Sequence, residues 1–215
     1  GGVAAGAGPR GIFRHGAGMC EGCAMTTTRT GDPAEPSGLA ALEASVRRDL
    51  ARINHPPENW VLPCEPPADL DVLVVGAGQM GLAASFALER LGVRRHAVLD
   101  AAEPGREGPW VTYARMKTLR SPKHLVGPAQ DVPALTFRAW YEARYGAAAW
   151  EALDKIPRET WQHYLDWFRR VLDLPVRNAT RLTSLRPAEG GVAATVAGPD
   201  GEARLTARRV VLATG

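Results

Sequence analysis

Long apolar runs are missing from this chain. No stretch approaches the ~18 consecutive apolar residues of a membrane span, although 45% of the 215 residues are hydrophobic. No charged start leads into an apolar block either, as it would in a secretory signal. The sequence therefore predicts a protein without a membrane segment or an export signal, and its apolar content is sufficient for a sizeable core.

Cysteine and net charge are both low. Three cysteines in a chain of this length argue against a disulfide framework and fit a reducing compartment, so we expect a cytoplasmic protein. Cys20 and Cys23 form a C-x-x-C pair, but no second pair or histidine cluster accompanies them, and we expect no metal site. The net charge is +3 without a long basic run, which gives no indication of a nucleic-acid partner.

Signatures of hydrolytic chemistry are absent as well. The chain contains neither a G-x-S-x-G nor an H-E-x-x-H pattern. Its histidines are scattered, and only His124 has a suggestive setting, although an isolated histidine is more often a surface or packing residue. The neighbouring cations Lys117, Arg120 and Lys123 either bind an anion or form a solvated face, and the sequence leaves both readings open.

The strongest positive signal is a glycine pattern that follows an apolar run at 72–75. The apolar run is typical of a buried parallel strand. Gly76, Gly78 and Gly81 come next at G-x-G-x-x-G spacing. In that pattern the first glycine permits a tight turn, the second lets the backbone approach a pyrophosphate, and the third lets a helix pack close to the strand.

The residues after the glycines complete the unit. An alanine-rich helical segment follows, then a second apolar run at 97–99 that is closed by Asp100. The helix N-terminus offers free N–H groups to phosphates, and Asp100 lies where a carboxylate can bind a ribose diol. The strand–turn–helix–strand unit therefore predicts a dinucleotide-binding site, with a plain glycine-rich turn as the alternative.

Composition divides the chain into three segments. Residues 1–37 are poor in apolar side chains and do not begin with methionine, so we expect a disordered or non-native leader. Residues 38–70 predict an N-terminal helix and a proline-rich linker. Residues 71–215 predict a Rossmann-like α/β domain with a parallel sheet, and we expect it to be truncated because an apolar strand ends the chain.

The pattern changes after Asp100. A long loop rich in glycine, proline and basic side chains is followed by helices predicted at 136–145 and from Pro157 onward. The tryptophans of this part predict the aromatic core of a small helical insertion rather than a substrate box. The last 40 or so residues predict an antiparallel meander, and then a separate strand at 209–213 that returns to the parallel sheet.

This combination resembles the N-terminal half of flavin-dependent monooxygenases with two dinucleotide-binding domains, the group of flavin-containing monooxygenases, Baeyer–Villiger enzymes and amine N-hydroxylases. The resemblance covers residues 71–215. It is carried by the glycine motif, Asp100, the Gly108-Pro109-Trp110 turn, the helix that opens at Pro157-Arg158, the meander and the Ala213-Thr214-Gly215 end.

The resemblance implies two cofactors, FAD along the first Rossmann unit and NADPH in a domain beyond residue 215. It implies that FAD is bound by Gly76, Gly78, Gln79, Met80, Gly81, Asp100, Trp110, Leu182, Ala213, Thr214 and Gly215. It also implies a loop beside the flavin ring or the substrate, which contains Met116, Lys117, Arg120, Lys123 and His124. No side chain is singled out as a catalytic acid or base.

The function implied is that of an FAD-dependent, NAD(P)H-consuming monooxygenase, which inserts one oxygen atom from O2 into a small organic substrate. Three other functions stay open at this point. They are a flavoprotein reductase or oxidase without oxygen insertion, an NAD-dependent dehydrogenase with one Rossmann domain, and a nucleotide-binding regulatory module without turnover. The long loop and the meander argue against the dehydrogenase, whose sheet would continue as regular β-α-β units.

Overall fold

The computed structural model describes residues 38–215. The expected leader and the Cys20–Cys23 pair lie outside these described residues. Within them, no helix combines the length and apolar character needed to cross a membrane. The helices and strands in chain order are α1 (Gly38–Arg52), β1 (Leu70–Val75), α2 (Gln79–Arg90), β2 (His96–Leu99), α3 (Phe137–Tyr145), α4 (Ala147–Ala152), α5 (Arg158–Val171), β3 (Val176–Arg177), β4 (Arg181–Ala188), β5 (Gly191–Gly198) and β6 (Gly201–Leu212).

The strands form one six-stranded sheet in the order β3-β2-β1-β6-β5-β4. Strand β1 pairs in parallel with β2 on one side and with β6 on the other. Both apolar runs around the glycine motif are strands, and β2 is buried along its whole length, as expected for a parallel sheet covered on both faces. The α/β fold class is confirmed, with β1 at the centre of its parallel part.

Strand β6 corrects the sequence-based division of the last residues. The pattern predicts a short meander strand and then a separate strand, but Gly201–Leu212 is one continuous strand. Its first half pairs antiparallel with β5 and its second half pairs in parallel with β1. Ala207 faces both partners, with Val192 on one side and Leu70 on the other. Because no glycine or proline follows Gly201 within the strand, nothing interrupts it.

The two faces of the parallel sheet are covered by different layers. Leu73 and Leu99 belong to one apolar cluster with Val196 of the meander. On the opposite face, Val74 and Val98 share a cluster with side chains of α2. The side chains of β1 alternate between these clusters, as the pleat of a strand requires. The meander therefore packs over one face of the sheet, and α2 covers the other.

The helical insertion has an aromatic core, as the sequence predicts. Trp140, Trp150 and Tyr164 are fully buried in one apolar cluster that also receives Phe86 of α2. The hydroxyl of Tyr164 donates a hydrogen bond to the backbone oxygen of Leu135 at 2.7 Å, so its polar end is satisfied inside the core. These aromatic side chains pack the insertion against α2, and they do not line the main cleft.

A partly buried carboxyl near the end of α2 predicts an unusual dependence of stability on pH. Burial raises the pKa of Glu89 to about 7, while Arg94 lowers it and Asp173 raises it further. The Nε2 of His55 lies 3.8 Å from the Oε2 of Glu89, beyond hydrogen-bond reach, and burial lowers the pKa of His55. Between about pH 4.5 and about pH 7 the folded chain therefore holds a proton on Glu89 that the unfolded chain releases. The free energy of unfolding falls as the pH rises through this range.

We expect a Glu89→Gln variant to be more stable than the original chain by about 2 to 3 kcal/mol at pH 8 and nearly unchanged at pH 4.5. The reason is that glutamine removes the ionisation that burial opposes. Urea unfolding at both pH values measures the difference. The exposed Glu151 provides a matched control, because Glu151→Gln should change stability little at either pH. An equal effect of Glu89→Gln at both pH values would contradict the assignment.

Candidate functional site

A cleft with a volume of about 1220 Å³ opens at the carboxyl ends of β1, β2 and β6. This is the edge of a parallel sheet at which ligands bind in α/β folds. All the residues that the resemblance assigns to FAD line the cleft except Gly81. They are Gly76, Gly78, Gln79, Met80, Asp100, Trp110, Leu182, Ala213, Thr214 and Gly215.

Two glycines of the motif are required by backbone contacts. Gly76 has a φ of +103°, and a Cβ there would lie 2.5 Å from the backbone oxygen of Ala213. A Cβ on Gly81 would lie 1.7 Å from the backbone oxygen of Gly76. Gly81 therefore lets α2 start against the turn, which explains why this residue is buried behind the cleft rather than in its lining.

Gly78 has a different role from the other two glycines. Its backbone is extended, with a φ of −65°, and a Cβ would meet only Gly108, with the Cα at 3.6 Å and the backbone nitrogen at 3.9 Å, which is ordinary contact. Neither strain nor packing demands glycine at this position. Gly78 precedes the first residue of α2, whose N-terminus has no side-chain cap. The bare backbone and the free N–H groups of the helix therefore suit the close approach of an anionic group.

Asp100 has a structural task that sequence reasoning missed. Its Oδ2 accepts a hydrogen bond from the backbone N–H of Ala77 at 2.7 Å, and its Oδ1 accepts one from Ala102 at 2.8 Å. The carboxylate thus ties the glycine turn to the end of β2. Each oxygen keeps a further lone pair, so the same side chain can accept a hydrogen bond from a hydroxyl group of a ligand in the cleft. The nearby Thr180 N–H donates to the Asp100 backbone oxygen at 2.8 Å.

The turn at Gly108-Pro109-Trp110 forms a second wall of the cleft. Gly108 has a φ of +70°, and its backbone oxygen accepts a hydrogen bond from the Thr112 hydroxyl at 2.6 Å. Trp110 packs edge-on against Trp161, with ring centroids 6.5 Å apart. Trp161 in turn donates from Nε1 to Oε1 of Gln79 at 3.2 Å. The helical insertion therefore orients both walls of the cleft through one tryptophan.

The cleft also contains residues that sequence reasoning did not single out. Arg106 and Arg181 bring positive charge to its lining, and neither guanidinium forms an ion pair within residues 38–215. Exposed apolar side chains add a second kind of surface, which includes Tyr113, Val211 and Leu212 beside Met80, a residue that the resemblance already assigns to FAD. Of the two arginines, the sequence could have indicated only Arg181, because it is adjacent to Leu182.

The basic run at 116–124 lies elsewhere. None of its proposed ligand residues lines the main cleft. Lys123 donates to the backbone oxygen of Trp150 at 2.7 Å and stands 4.8 Å from the centre of the Trp150 ring. Its ammonium therefore satisfies the C-terminal end of α4, which weakens the interpretation of this run as an anion site.

The other members of the run have similarly modest contacts. His124 meets the Trp150 ring edge-on at 6.0 Å, and it lines a smaller hollow together with Arg120 and Lys123. Met116 and Lys117 are exposed, and the Lys117 backbone oxygen accepts a hydrogen bond from the Arg158 N–H at 3.2 Å. The placement of this run beside a flavin ring or substrate stays a prediction. Within the described part of the chain, no cluster of three metal-ligating side chains occurs.

Comparison with known sequences finds a family and a relative. A family model described as FAD-NAD(P)-binding matches residues 73–215. An FAD-dependent urate hydroxylase of Xanthomonas campestris is 53% identical over 180 residues, which are 82% of this chain and 38% of that protein. This chain therefore spans well under half the length of the hydroxylase.

Comparison with solved structures finds the same fold. The ornithine N-hydroxylase of Kutzneria sp. 744, solved with reduced FAD, NADP+ and L-ornithine, is 21% identical with a TM-score of 0.56 over 68% of this chain and 37% of its own. A flavin-containing monooxygenase of Stenotrophomonas maltophilia is 27% identical with a TM-score of 0.51 over 68% and 38%. With the glycine turn, the cleft and the meander in place, the match over residues 73–215 shows that the chain belongs to the FAD-NAD(P)-binding family.

Proposed function

We propose that this chain forms the FAD-binding part of a monooxygenase that consumes NAD(P)H and inserts one oxygen atom from O2 into a small organic substrate. The observation that carries the proposal is the close approach of Gly78 and Gly108 inside the cleft, where a Cβ on either glycine would lie 3.5 to 3.6 Å from the Cα of the other. It creates a cradle without side chains directly beside the N-terminus of α2. A pyrophosphate fits such a cradle, because it needs close backbone N–H groups and tolerates no intervening Cβ.

The lining of the cleft fits FAD better than a uniformly polar ligand. FAD joins a charged and hydroxylated adenosine diphosphate to a large, mainly apolar ring. Asp100, Thr180 and Arg181 offer groups for the ribose and phosphates, whereas Met80, Tyr113 and Leu212 offer apolar surface. The pyrophosphate would be held by Gly76, Gly78 and Gln79 and by the α2 N-terminus. The site residues assigned above to FAD are proposals on these grounds.

FAD, when bound, supplies the redox and oxygen chemistry. The side chains of this chain bind and orient it. The Asp100 carboxylate fixes the glycine turn through Ala77 and keeps lone pairs for a ribose hydroxyl. The Trp161 indole donates a hydrogen bond to the side-chain amide of Gln79, the first residue of α2, and so fixes its orientation. No side chain of the cleft is required to act as a general acid or base in this half of the site.

The relative at 53% identity, whose name assigns it urate, supports a proposal for the substrate class. We propose that the protein acts on urate or a similar small, planar nitrogen heterocycle. The chain covers 38% of the hydroxylase, so residues outside this chain would contribute to substrate binding and to the NAD(P)H site.

Titration of the chain with FAD tests the central part of the proposal. We expect the 215-residue chain to retain FAD through a desalting column, with a visible flavin spectrum that differs from that of free FAD. A chain that stays colourless and binds NAD+ instead would favour the single-domain dehydrogenase and overturn the proposal. Oxygen insertion is tested separately with labelled O2, urate and NADH in a protein that contains this chain. Oxidation of NADH without label in the product would favour a reductase or oxidase.

A further inference from the structure

A buried charge network lies behind the cleft, where the loop after β2 meets α5. The side chain of Glu107 is only 5% exposed. Its Oε1 accepts hydrogen bonds from Nη1 of Arg169 at 2.8 Å and from Nδ2 of Asn178 at 2.6 Å. The three residues come from three separate segments, the loop after β2, α5 and the turn before β4. The network therefore joins parts of the chain that are remote in sequence.

The two donors are themselves fixed by backbone oxygens. Nη2 of Arg169 donates to Val176 at 3.3 Å, and Nδ2 of Asn178 also donates to Ala102 at 3.1 Å. The loop is thus held at Ala102 by Asn178 and at Glu107 by both Arg169 and Asn178. A carboxylate with two directed donors has little freedom to turn, because buried charged groups require their partners. The position of Glu107 is consequently well determined.

The residue that follows this fixed point is Gly108. Its backbone meets Gly78 in the cleft, where a Cβ on Gly108 would lie 3.5 Å from the Gly78 Cα. Gly108 has a φ of +70° and is conformationally permissive. Its next two residues, Pro109 and Trp110, line the cleft as well. A permissive glycine needs an external anchor to hold one conformation, and the side chain immediately before it provides that anchor.

We propose that Glu107 is a positioning residue for the dinucleotide, which acts through Gly108 by holding the second wall of the cleft against the glycine turn. This inference rests on the proposed FAD site and assigns a role to a residue outside the cleft lining. The network sets the width of the phosphate cradle before the ligand arrives. Binding then requires no ordering of the 103–110 loop, and preorganisation of this kind increases affinity.

The test compares three variants with the original 215-residue chain. Glu107→Gln removes the charge and keeps the shape. Asn178→Ala removes one donor and is the milder change, which keeps the test valid if Glu107→Gln does not fold. The matched control is Glu43→Gln. Glu43 lies on α1 and forms a 2.6 Å ion pair with Arg170, which is the neighbour of Arg169 on α5. For each chain, FAD titration gives the Kd and the spectrum at saturation, and thermal unfolding without FAD gives the Tm.

We expect Glu107→Gln to weaken FAD binding about tenfold or more, because the two hydrogen bonds from Arg169 and Asn178 lose their charged acceptor and Arg169 loses its ion pair. We expect Asn178→Ala to weaken it several-fold. Glu43→Gln should leave the Kd unchanged. At saturating FAD the visible spectrum of both network variants should match the original, because the apolar end of the cleft is untouched, whereas general disorder would alter it.

The possible failures are distinguishable. If the original chain does not bind FAD, the proposed function fails, and the role of Glu107 fails with it. If the original chain binds FAD and the two network variants bind it equally well, only the positioning role is overturned. A loss of affinity in Glu43→Gln equal to that in Glu107→Gln would also overturn it, because the effect would then be a general loss of stability.

Discussion

A Gly81→Ala variant will be destabilised by roughly 3 kcal/mol, as expected for severe overpacking, and will not retain FAD. The added Cβ would lie 1.7 Å from the backbone oxygen of Gly76, so α2 must move away from the turn. Helix propensity alone gives the opposite sign, because alanine favours a helix interior over glycine by about 1 kcal/mol. Urea unfolding of the variant therefore decides between local propensity and backbone packing.

Gly78→Ala is the matched comparison. Its Cβ would meet Gly108 at an ordinary 3.6 Å, and the extended backbone of Gly78 accepts any residue. We expect the fold to keep its stability, while FAD binding weakens about tenfold or more because the methyl group occupies the wall that the phosphates approach. If Gly78→Ala unfolds the chain and Gly81→Ala does not, the roles assigned to the two glycines are reversed.

The second large effect is expected at Asp100. In Asp100→Asn the amide nitrogen replaces one acceptor oxygen, so it faces the N–H of either Ala77 or Ala102. A donor is then left without a partner, which costs about 1 to 3 kcal/mol of stability. One of the two hydrogen bonds by which the carboxylate holds the turn and the end of β2 is lost, and the ribose loses a charged acceptor. We expect FAD affinity to fall about tenfold to a hundredfold.

Asp69 provides the control for Asp100. It also accepts a backbone hydrogen bond, from the Thr206 N–H at 2.6 Å, but it is exposed and does not line the cleft. Asp69→Asn should lower the Tm without changing the Kd for FAD. Isothermal titration with FAD and thermal unfolding separate the two effects. Equal losses of affinity in both variants would show that Asp100 has no direct role at the ligand.

The parts of the molecule that sequence predicts well are local. The apolar run of β1, the three glycines and Asp100 lie within 30 or so residues, and their spacing alone determines a strand, a turn and a helix. The buried face of α5 likewise follows from the helical spacing of Trp161, Tyr164 and Phe168. These features depend on backbone geometry that neighbouring residues share.

Other features depend on contacts between distant residues and leave no periodic signal. Glu107 meets Arg169 and Asn178 across more than 60 residues, and nothing around Glu107 in the sequence marks it as buried. Lys123 has the composition of an anion-binding residue, yet its ammonium lies at the end of α4. A cation is equally suited to a phosphate and to a helix C-terminus, so its role depends on which of them the fold brings near.

The continuous strand β6 has a consequence for how the domain opens. Because Ala207 pairs with residues of both β5 and β1, we expect opening of the meander to be coupled to opening of the parallel sheet. We expect the two layers to open as a single cooperative unit, so that backbone amides in β5 and in β1 exchange with deuterium at nearly the same protection. We therefore expect a ligand that binds at the carboxyl end of β1 to slow amide hydrogen exchange along the whole meander, far from any atom that it touches.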